Sequence, residues 1–215
     1  MQFFIDNFDL LRDAFLTTLS LSLLSGLLAL VLGTVLAGMR VSPITQLRGL
    51  ATFYVEVFRN TPLTVVFFFI IFGLPQIDFA VDFFTGAVLS VGLYTAAFVC
   101  EAVRSGINAV SPGQAEAARA IGLTFGQSLR EIVLPQAFRT VVPPLGNVWI
   151  AMVKNTSIAA GFSVTELSST LPRLVNADAG DLTLILIGVV AGYMLITLPS
   201  AFAIHRLERR VAILR

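Results

Sequence analysis

Polar side chains interrupt two of the most apolar stretches of this 215-residue sequence. Tyr94 and Thr95 lie in an uncharged run over residues 83–100, and Asn147 lies in a shorter apolar run over residues 140–153. Four more polar residues end or follow that second run: Lys154, Asn155, Thr156 and Ser157. Because polar groups are costly inside a bilayer, such side chains are candidates for lining the path of a polar solute. Helix packing, or anchoring at the membrane rim, is the alternative for each of them.

The composition requires a membrane around these stretches. Hydrophobic residues make up 56% of the chain and charged residues 13%, whereas a typical soluble domain has roughly 25% charged residues. With a mean hydropathy of +0.88, many apolar side chains must face lipid. The net charge of +1 gives no argument for a nucleic-acid partner. We therefore expect an all-α, polytopic membrane protein.

Uncharged runs of about 20 residues, the length that crosses a bilayer as a helix, predict five transmembrane helices in one domain over residues 1–215. The predicted spans cover residues 14–39, 51–75, 83–100, 136–153 and 182–204. The second span joins a short apolar run to residues 51–58, and the fourth extends back through Arg139 and contains two prolines. We expect both to be held by protein or water, because a charged or kinked span is not stable in lipid alone.

The basic residues predict the orientation of the five spans. With the amino terminus outside, three basic residues lie outside and eleven lie inside. The inner set is Arg40, Arg48, Arg59, Arg104, Arg119, Arg130, Arg139, Arg206, Arg209, Arg210 and Arg215. By the positive-inside rule, the carboxyl terminus and the long loop between the third and fourth spans are cytoplasmic.

Two local spacings predict contacts rather than chemistry. Small residues recur at every fourth position of the first span, which favours close packing with another helix of this chain or of another subunit. They are Ser25, Ala29, Gly33 and Ala37. Glu56 with Arg59, and Glu101 with Arg104, are three residues apart and predict two ion pairs within helices. Cys100, in an apolar run, is predicted to be a buried structural thiol.

The cytoplasmic loop over residues 111–135 is predicted to form two short helices separated by Gly122. Ser111 with Gln114, and Thr124 with Gln127, have the spacing of capping boxes. The first helix is rich in alanine and carries one glutamate, Glu116, so it suits a groove on a partner protein. A solvated linker is the alternative from composition alone. No phosphate-binding loop precedes Lys154, the one lysine of the sequence, so we expect no ATP hydrolysis by this chain.

This loop resembles the hallmark of the membrane permeases of ABC-type importers. The family pattern is EAA, three residues, Gly, nine residues and Ile-x-Leu-Pro. The matching residues are Glu116, Ala117, Ala118, Gly122, Ile132, Leu134 and Pro135. The resemblance extends over residues 40–165 to the polar amino acid branch of the family, through segments such as RNTPL at 59–63 and KNTS at 154–157. The RVSP stretch at 40–43 and the RNTP stretch at 59–62 are most similar to the permeases of actinobacterial glutamate uptake systems.

The resemblance implies a bacterial inner-membrane importer with several subunits. The loop would be a coupling helix, with Glu116, Ala117, Ala118 and Gly122 touching a separate ATPase dimer that binds ATP and Mg²⁺. No cofactor or metal is expected in this chain. A second permease, identical or sister, and an extracytoplasmic solute-binding protein would complete the complex. Asn155 stands where relatives often carry aspartate, which disfavours a cationic amino acid and makes glutamate the first expectation for the cargo.

Two other classes of protein remain open on the residues alone. A self-sufficient channel or ion-coupled carrier predicts inverted repeats in two halves, and five spans do not divide equally. A membrane scaffold that recruits a cytosolic partner could use the same loop, although it would not need Asn147, Lys154 or a kinked fourth span.

Overall fold

The computed structural model of the chain describes residues 7–177 and 182–211, which form helices and connecting turns without a strand. The α-helices are α1 (Phe8–Val41), α2 (Thr45–Asn60), α3 (Leu63–Phe68), α4 (Phe83–Asn108), α5 (Pro112–Ala120), α6 (Phe125–Gln127), α7 (Leu134–Asn155), α8 (Thr170–Ala177) and α9 (Leu182–Val211). Turns of π-helix cover Phe69–Gly73 and Ser128–Val133, and 3₁₀ turns cover Leu74–Ile77, Thr156–Phe162 and Leu167–Ser169. The predicted all-α fold class is confirmed.

Three of the described helices, α1, α4 and α9, are long and apolar enough to cross a membrane. The pair formed by α2 and the segment Leu63–Ile77 meets the same condition only when both parts are taken together. α7, which carries Arg139, Asn147 and two prolines in its interior, is not among the three. The count of five spans therefore stays a prediction.

The segment predicted as one span over residues 51–75 is not one continuous helix. α2 ends at Asn60, α3 begins at Leu63, and the two parts are bent by 106°. The cause is Pro62, because the residue before a proline is forced out of the helical region. Thr61 is indeed extended, with φ −104° and ψ 132°.

Close packing of α1 against α4 forms the centre of the bundle. The small residues of α1 lie in this contact, where the hydroxyl of Ser25 donates to the carbonyl of Val88 at 3.2 Å. A Cβ atom at Gly33 would lie 2.6 Å from the Cβ of Val99 and 2.7 Å from the carbonyl oxygen of Ala96. The small residues of α1 therefore pack within this chain. Cys100 is buried in an apolar cluster that also contains Ala37, one of these small residues.

The loop over residues 111–135 folds as two helices with a glycine between them. Gly122 has φ +91°, and it donates its N–H to Arg119 while Leu123 donates to Ala118. These two bonds are the Schellman motif that ends a helix. Thr124 and Gln127 form both arms of the predicted capping box, at 2.9 and 3.3 Å.

The capping box predicted at Ser111 is wrong, because the Ser111 side chain makes no capping hydrogen bond. Beyond Gln127 the helix widens into a π turn, in which Leu134 donates to Leu129, and then continues as α7 through Pro135. The wider turn fits this position, since the ring of a proline clashes with the carbonyl four residues earlier in a regular helix.

Candidate functional site

A mainly apolar cleft of about 330 Å³ with four polar side chains in its lining lies between α4 and α7. It is lined by Tyr94, Thr95, Phe98, Asn147, Val148, Ala151, Met152 and Asn155. Asn147, Ala151 and Asn155 are four residues apart on α7, so they share one face of that helix. The cleft therefore brings together four of the seven residues that the sequence singled out as a solute path.

The polar groups of the cleft differ in exposure. Thr95 is buried, Tyr94 and Asn155 are half-buried, and Asn147 is exposed. The rings of Tyr94 and Phe98 lie against each other, with 5.1 Å between their centroids. The cleft thus offers hydroxyl and amide groups beside aromatic rings, which suits a small molecule with both polar and apolar parts.

The other three predicted path residues do not line this cleft. Lys154 is exposed at the end of α7. The hydroxyl of buried Thr156 donates to the carbonyl of Val153 at 2.7 Å, so it serves the turn that follows the helix. Ser157 lies half-buried in the same 3₁₀ turn.

A second, apolar cavity of about 550 Å³ adjoins the cleft and shares Thr95, Val148 and Met152 with it. Its walls come from α1, α4, α7 and α9. Trp149 lines it and lies directly over Gly26, where a Cβ atom would collide with the indole ring. The indole is therefore a packing element of the helix bundle.

A charged cluster lies one turn beyond the cleft on α4, about 4.5 Å along the helix from Phe98. Glu101 accepts hydrogen bonds from Arg104 at 2.8 and 3.3 Å and from Arg40 of α1. Arg59 of α2 is an ion-pair partner at 3.6 Å. We call Glu101, Arg40, Arg59 and Arg104 the Glu101 cluster. It joins three helices at the end of α4 that leads into the loop.

The cluster confirms one predicted ion pair and corrects the other. Glu101 and Arg104 pair within α4, as expected. Among the described residues, however, Glu56 makes no ion pair with Arg59, which reaches across to Glu101 instead. A spacing of three residues allows an ion pair within a helix but does not require one. Here helix packing brings the partly buried carboxylate of Glu101 within 3.6 Å of Arg59, whereas Glu56 is exposed.

A buried carboxylate that sequence reasoning missed lies after the 3₁₀ turn that follows α7. Glu166 is fully buried and accepts hydrogen bonds from the hydroxyl of Tyr193 on α9 and from the N–H of Ser169. The hydroxyl of Thr18 on α1 lies 3.4 Å from the same carboxylate. Burial raises the pKa of Glu166, while these hydrogen bonds oppose the rise. The carboxylate therefore fastens this connecting segment to two long helices.

The loop presents only part of its predicted contact surface. Glu116 and Ala117 are exposed, whereas Ala118 is buried, so Ala118 supports the helix rather than offering a direct contact. Ile121, which no sequence pattern indicated, is 80% exposed next to Gly122. Ile121 therefore adds an apolar side chain to the exposed surface of the loop beside Glu116 and Ala117. The sequence feature that could have indicated this exposure is a single isoleucine directly after the alanine-rich helix α5.

In the described ranges, no group of three or more His, Cys, Asp or Glu side chains could hold a metal ion. A helical membrane bundle that has a cleft with polar side chains between two helices, and an exposed two-helix loop, is the architecture expected of a transporter subunit. Residues 29–213 match the family "Binding-protein-dependent transport system inner membrane component", and the chain belongs to it. The predicted resemblance to permeases of ABC-type importers is thereby confirmed.

Similar proteins include amino acid permeases, and the matches cover almost the whole length of both chains. The chain is 43% identical over 215 residues to the glutamate transport system permease protein GluC of Corynebacterium glutamicum, and the match covers 94% of each. It is 38% identical over 206 residues to the probable glutamine ABC transporter permease protein GlnM of Bacillus subtilis, over 96% of this chain and 95% of that one. A crystal structure of an amino acid ABC transporter with histidines matches with a TM-score of 0.87 and 31% identity, over 96% of each chain.

Proposed function

We propose that this chain is the permease subunit of an ATP-driven importer that carries glutamate or another polar amino acid across the inner membrane. The observation that carries the transport role is the cleft between α4 and α7, which gathers Tyr94, Thr95, Asn147 and Asn155 within a membrane bundle. An amino acid offers a charged amine and carboxylate on a short carbon frame, and the cleft matches it in size and in hydrogen-bonding groups.

The neighbouring proteins favour glutamate as the cargo, and so do the charges around the cleft. GluC of Corynebacterium glutamicum is described as a glutamate permease and GlnM of Bacillus subtilis as a probable glutamine permease. No acidic residue is among the residues that line the cleft, and the Glu101 cluster beyond it carries three guanidinium groups for one carboxylate. An excess of positive charge attracts an anionic solute and repels arginine or lysine.

The loop with Glu116, Ala117 and Ile121 on its surface would dock on a separate ATPase dimer, which would hold the ATP and Mg²⁺. The Schellman motif and the capping box fix the shape of this loop, and a preformed helix loses little entropy when it enters a groove. Gly122 would set the angle between the two helices of the contact.

The exposure of Asn147 is an argument for a second permease in the complex. Its amide is exposed on α7, although α7 is part of a membrane bundle. Since an unpaired polar group is unfavourable against lipid, an identical or sister permease would cover this side of the cleft. An extracytoplasmic binding protein would deliver the cargo, with the amino terminus of this chain outside and its carboxyl terminus in the cytoplasm.

The decisive experiment is uptake of labelled glutamate, glutamine, arginine and histidine into proteoliposomes. They would contain this chain with its co-purifying permease and ATPase, and binding protein and ATP would be supplied. We expect ATP-dependent accumulation of glutamate or glutamine, and none with a non-hydrolysable ATP analogue. Intact complexes that hydrolyse ATP and accumulate none of the four amino acids would contradict the proposal.

A further inference from the structure

α2 begins and ends at the same depth in the helix bundle. Arg40, in the last turn of α1, and Arg59, in the last turn of α2, both pair with the carboxylate of Glu101. Only residues 42–44 separate α1 from α2, so α2 also begins near this carboxylate. With 16 residues, α2 is about 24 Å long. If it ran along the membrane normal, Arg59 would lie most of the way across the hydrocarbon layer, which is about 30 Å thick.

The middle of α2 contacts α1 and α4 near that depth as well. Ala51 and Val55 are buried in an apolar cluster with residues 36–37 of α1 and with residues of α4 that include Cys100. Cys100 directly precedes Glu101 in the chain. The buried side of α2 therefore lies across α1 and α4, beside the Glu101 cluster, instead of following either helix along its length.

The bend at Pro62 gives α2 its direction. Beyond the bend, Leu63–Ile77 follows α4 back to the first turn of that helix, where a Cβ atom at Gly86 would lie 3.0 Å from the side chain of Ile71. α4 is long and apolar enough to cross the membrane, so the segment that follows it runs in the crossing direction as well. α2 is bent by 106° from this segment and is therefore close to perpendicular to it.

Two exposed stripes of α2 differ sharply in polarity. Residues three and four positions apart share one face of a helix. The apolar stripe consists of Leu50, Phe53 and Val57, which are 63%, 70% and 42% exposed. The polar stripe contains Glu56 and Asn60, which are exposed as well. A helix that exposes an apolar face and a polar face side by side is suited to the boundary between lipid and water.

We propose that α2 lies flat in the membrane surface, at the end of the bundle that carries the two-helix loop, with Leu50, Phe53 and Val57 inserted among the acyl chains of the lipids. The polar stripe then faces the water, while the buried side chains hold the helix against α1 and α4. The crossing of the membrane is left to Leu63–Ile77. The partner of this surface is the lipid layer itself, and the inference does not depend on the proposed cargo.

A second permease is the other occupant that could cover the apolar stripe. Two observations favour lipid. Val31 and Val35 of α1 are exposed within two turns of its contact with α2, so apolar surface continues at this depth outside α2. Glu56 and Val57 are adjacent in sequence, and the change from polar to apolar surface follows the length of the helix. A boundary between water and lipid has this form, whereas a protein interface does not require it.

The test measures the depth of a spin label on α2 in the complete transporter, in liposomes of phosphatidylethanolamine and phosphatidylglycerol. A non-natural amino acid carries the label, so Cys100 and the cysteines of other subunits stay unlabelled. Two pairs of neighbouring positions are compared, Gly49 with Leu50 and Glu56 with Val57. Gly49 is seven residues from Glu56 and shares its stripe, and open space around it accepts a side chain.

Labels at Leu50 and Val57 should collide with dissolved oxygen, which concentrates in lipid, and labels at Gly49 and Glu56 with a water-soluble nickel chelate. Leu50 and Val57 should lie at equal depth, about 5–10 Å into the boundary between headgroups and acyl chains. A label at Phe53 gives an independent reading for the apolar stripe.

Three results would overturn the proposal. A difference of about 10 Å in depth between Leu50 and Val57 would mean that α2 runs along the membrane normal. Protection of both positions from oxygen and from nickel would mean that a second permease or another protein covers the stripe. Equal access of nickel to all four positions would mean that α2 lies in water, away from the lipid.

Discussion

Replacing Gly122 should separate ATP hydrolysis from transport. Its φ of +91° is unfavourable for other residues, and a Cβ atom there would meet nothing within 4 Å. The cost of Gly122→Ala is therefore purely conformational, about 1–2 kcal/mol. Gly122→Pro costs more, since proline fixes φ near −65° and removes the N–H that Gly122 donates to Arg119 at 3.0 Å.

Such a cost is large for this loop. α5 has nine residues, and isolated helices of that length are marginally stable in water. A loss of 1–2 kcal/mol changes the ratio of ordered to disordered loop by about five- to thirtyfold. Gly122 is exposed and lies outside the membrane helices, which should insert normally.

The assay measures ATP-dependent glutamate uptake and ATP hydrolysis in the same proteoliposomes, with the amount of reconstituted chain as the measure of insertion. Gly126→Ala is the matched control, because Gly126 lies four residues away in α6 and a Cβ atom there also meets nothing. We expect normal uptake for Gly126→Ala, reduced uptake for Gly122→Ala, and loss of uptake for Gly122→Pro and for the charge reversal Glu116→Lys. Equal uptake by Gly122→Pro and Gly126→Ala would refute the docking role of the loop.

Three further substitutions test the packing, the charged cluster and the buried carboxylate through thermal unfolding in detergent. Gly33→Ala should destabilise the chain by about 1–3 kcal/mol, because the carbonyl of Ala96 on α4 cannot move aside. Gly38→Ala should not, because open space surrounds Gly38. Equal unfolding midpoints for the two variants would contradict this prediction. Glu101→Gln should lower the free energy of unfolding by about 1.5–3 kcal/mol, because three arginines lose their charged partner. Glu56→Gln should leave it nearly unchanged. A larger loss for Glu56→Gln than for Glu101→Gln would show that the Glu101 cluster does not stabilise the fold. Burial raises the pKa of Glu166, so the folded chain keeps this proton at a pH where the unfolded chain loses it. The wild type should therefore lose stability, relative to Glu166→Gln, as pH rises above the ordinary glutamate pKa, and parallel pH profiles would disprove the shift.

Local chemistry explains which features were predictable from the sequence. The helix ends at Gly122 and Thr124 depend on residues at most five positions apart, and both were predicted correctly. Membrane helices follow from long apolar runs, so the locations of α1, α4 and α9 were predictable as well. Four members of the cleft were found because polar residues in apolar runs are rare.

The missed features depend on contacts between distant parts of the chain. Arg59 pairs with Glu101, 42 positions away, and its spacing to Glu56 suggested another partner. Glu166 lies in a polar connecting segment, where nothing in the local sequence indicates burial against Thr18 and Tyr193. Phe98 was missed because one aromatic residue in an apolar span has no local pattern that distinguishes a cleft from lipid.

The loop and the cleft are linked by the covalent chain itself. α4 and α7 form the cleft, and residues 109–133 connect the end of α4 to the start of α7. A displacement of the loop would therefore reach both walls of the cleft through the backbone. The Glu101 cluster lies between the two, on α4, and ties that helix to α1 and α2. A movement of the loop that shifts α4 relative to α1 and α2 would stretch the ion pairs of Glu101 with Arg40 and Arg59, and the longer of the two is the 3.6 Å pair with Arg59.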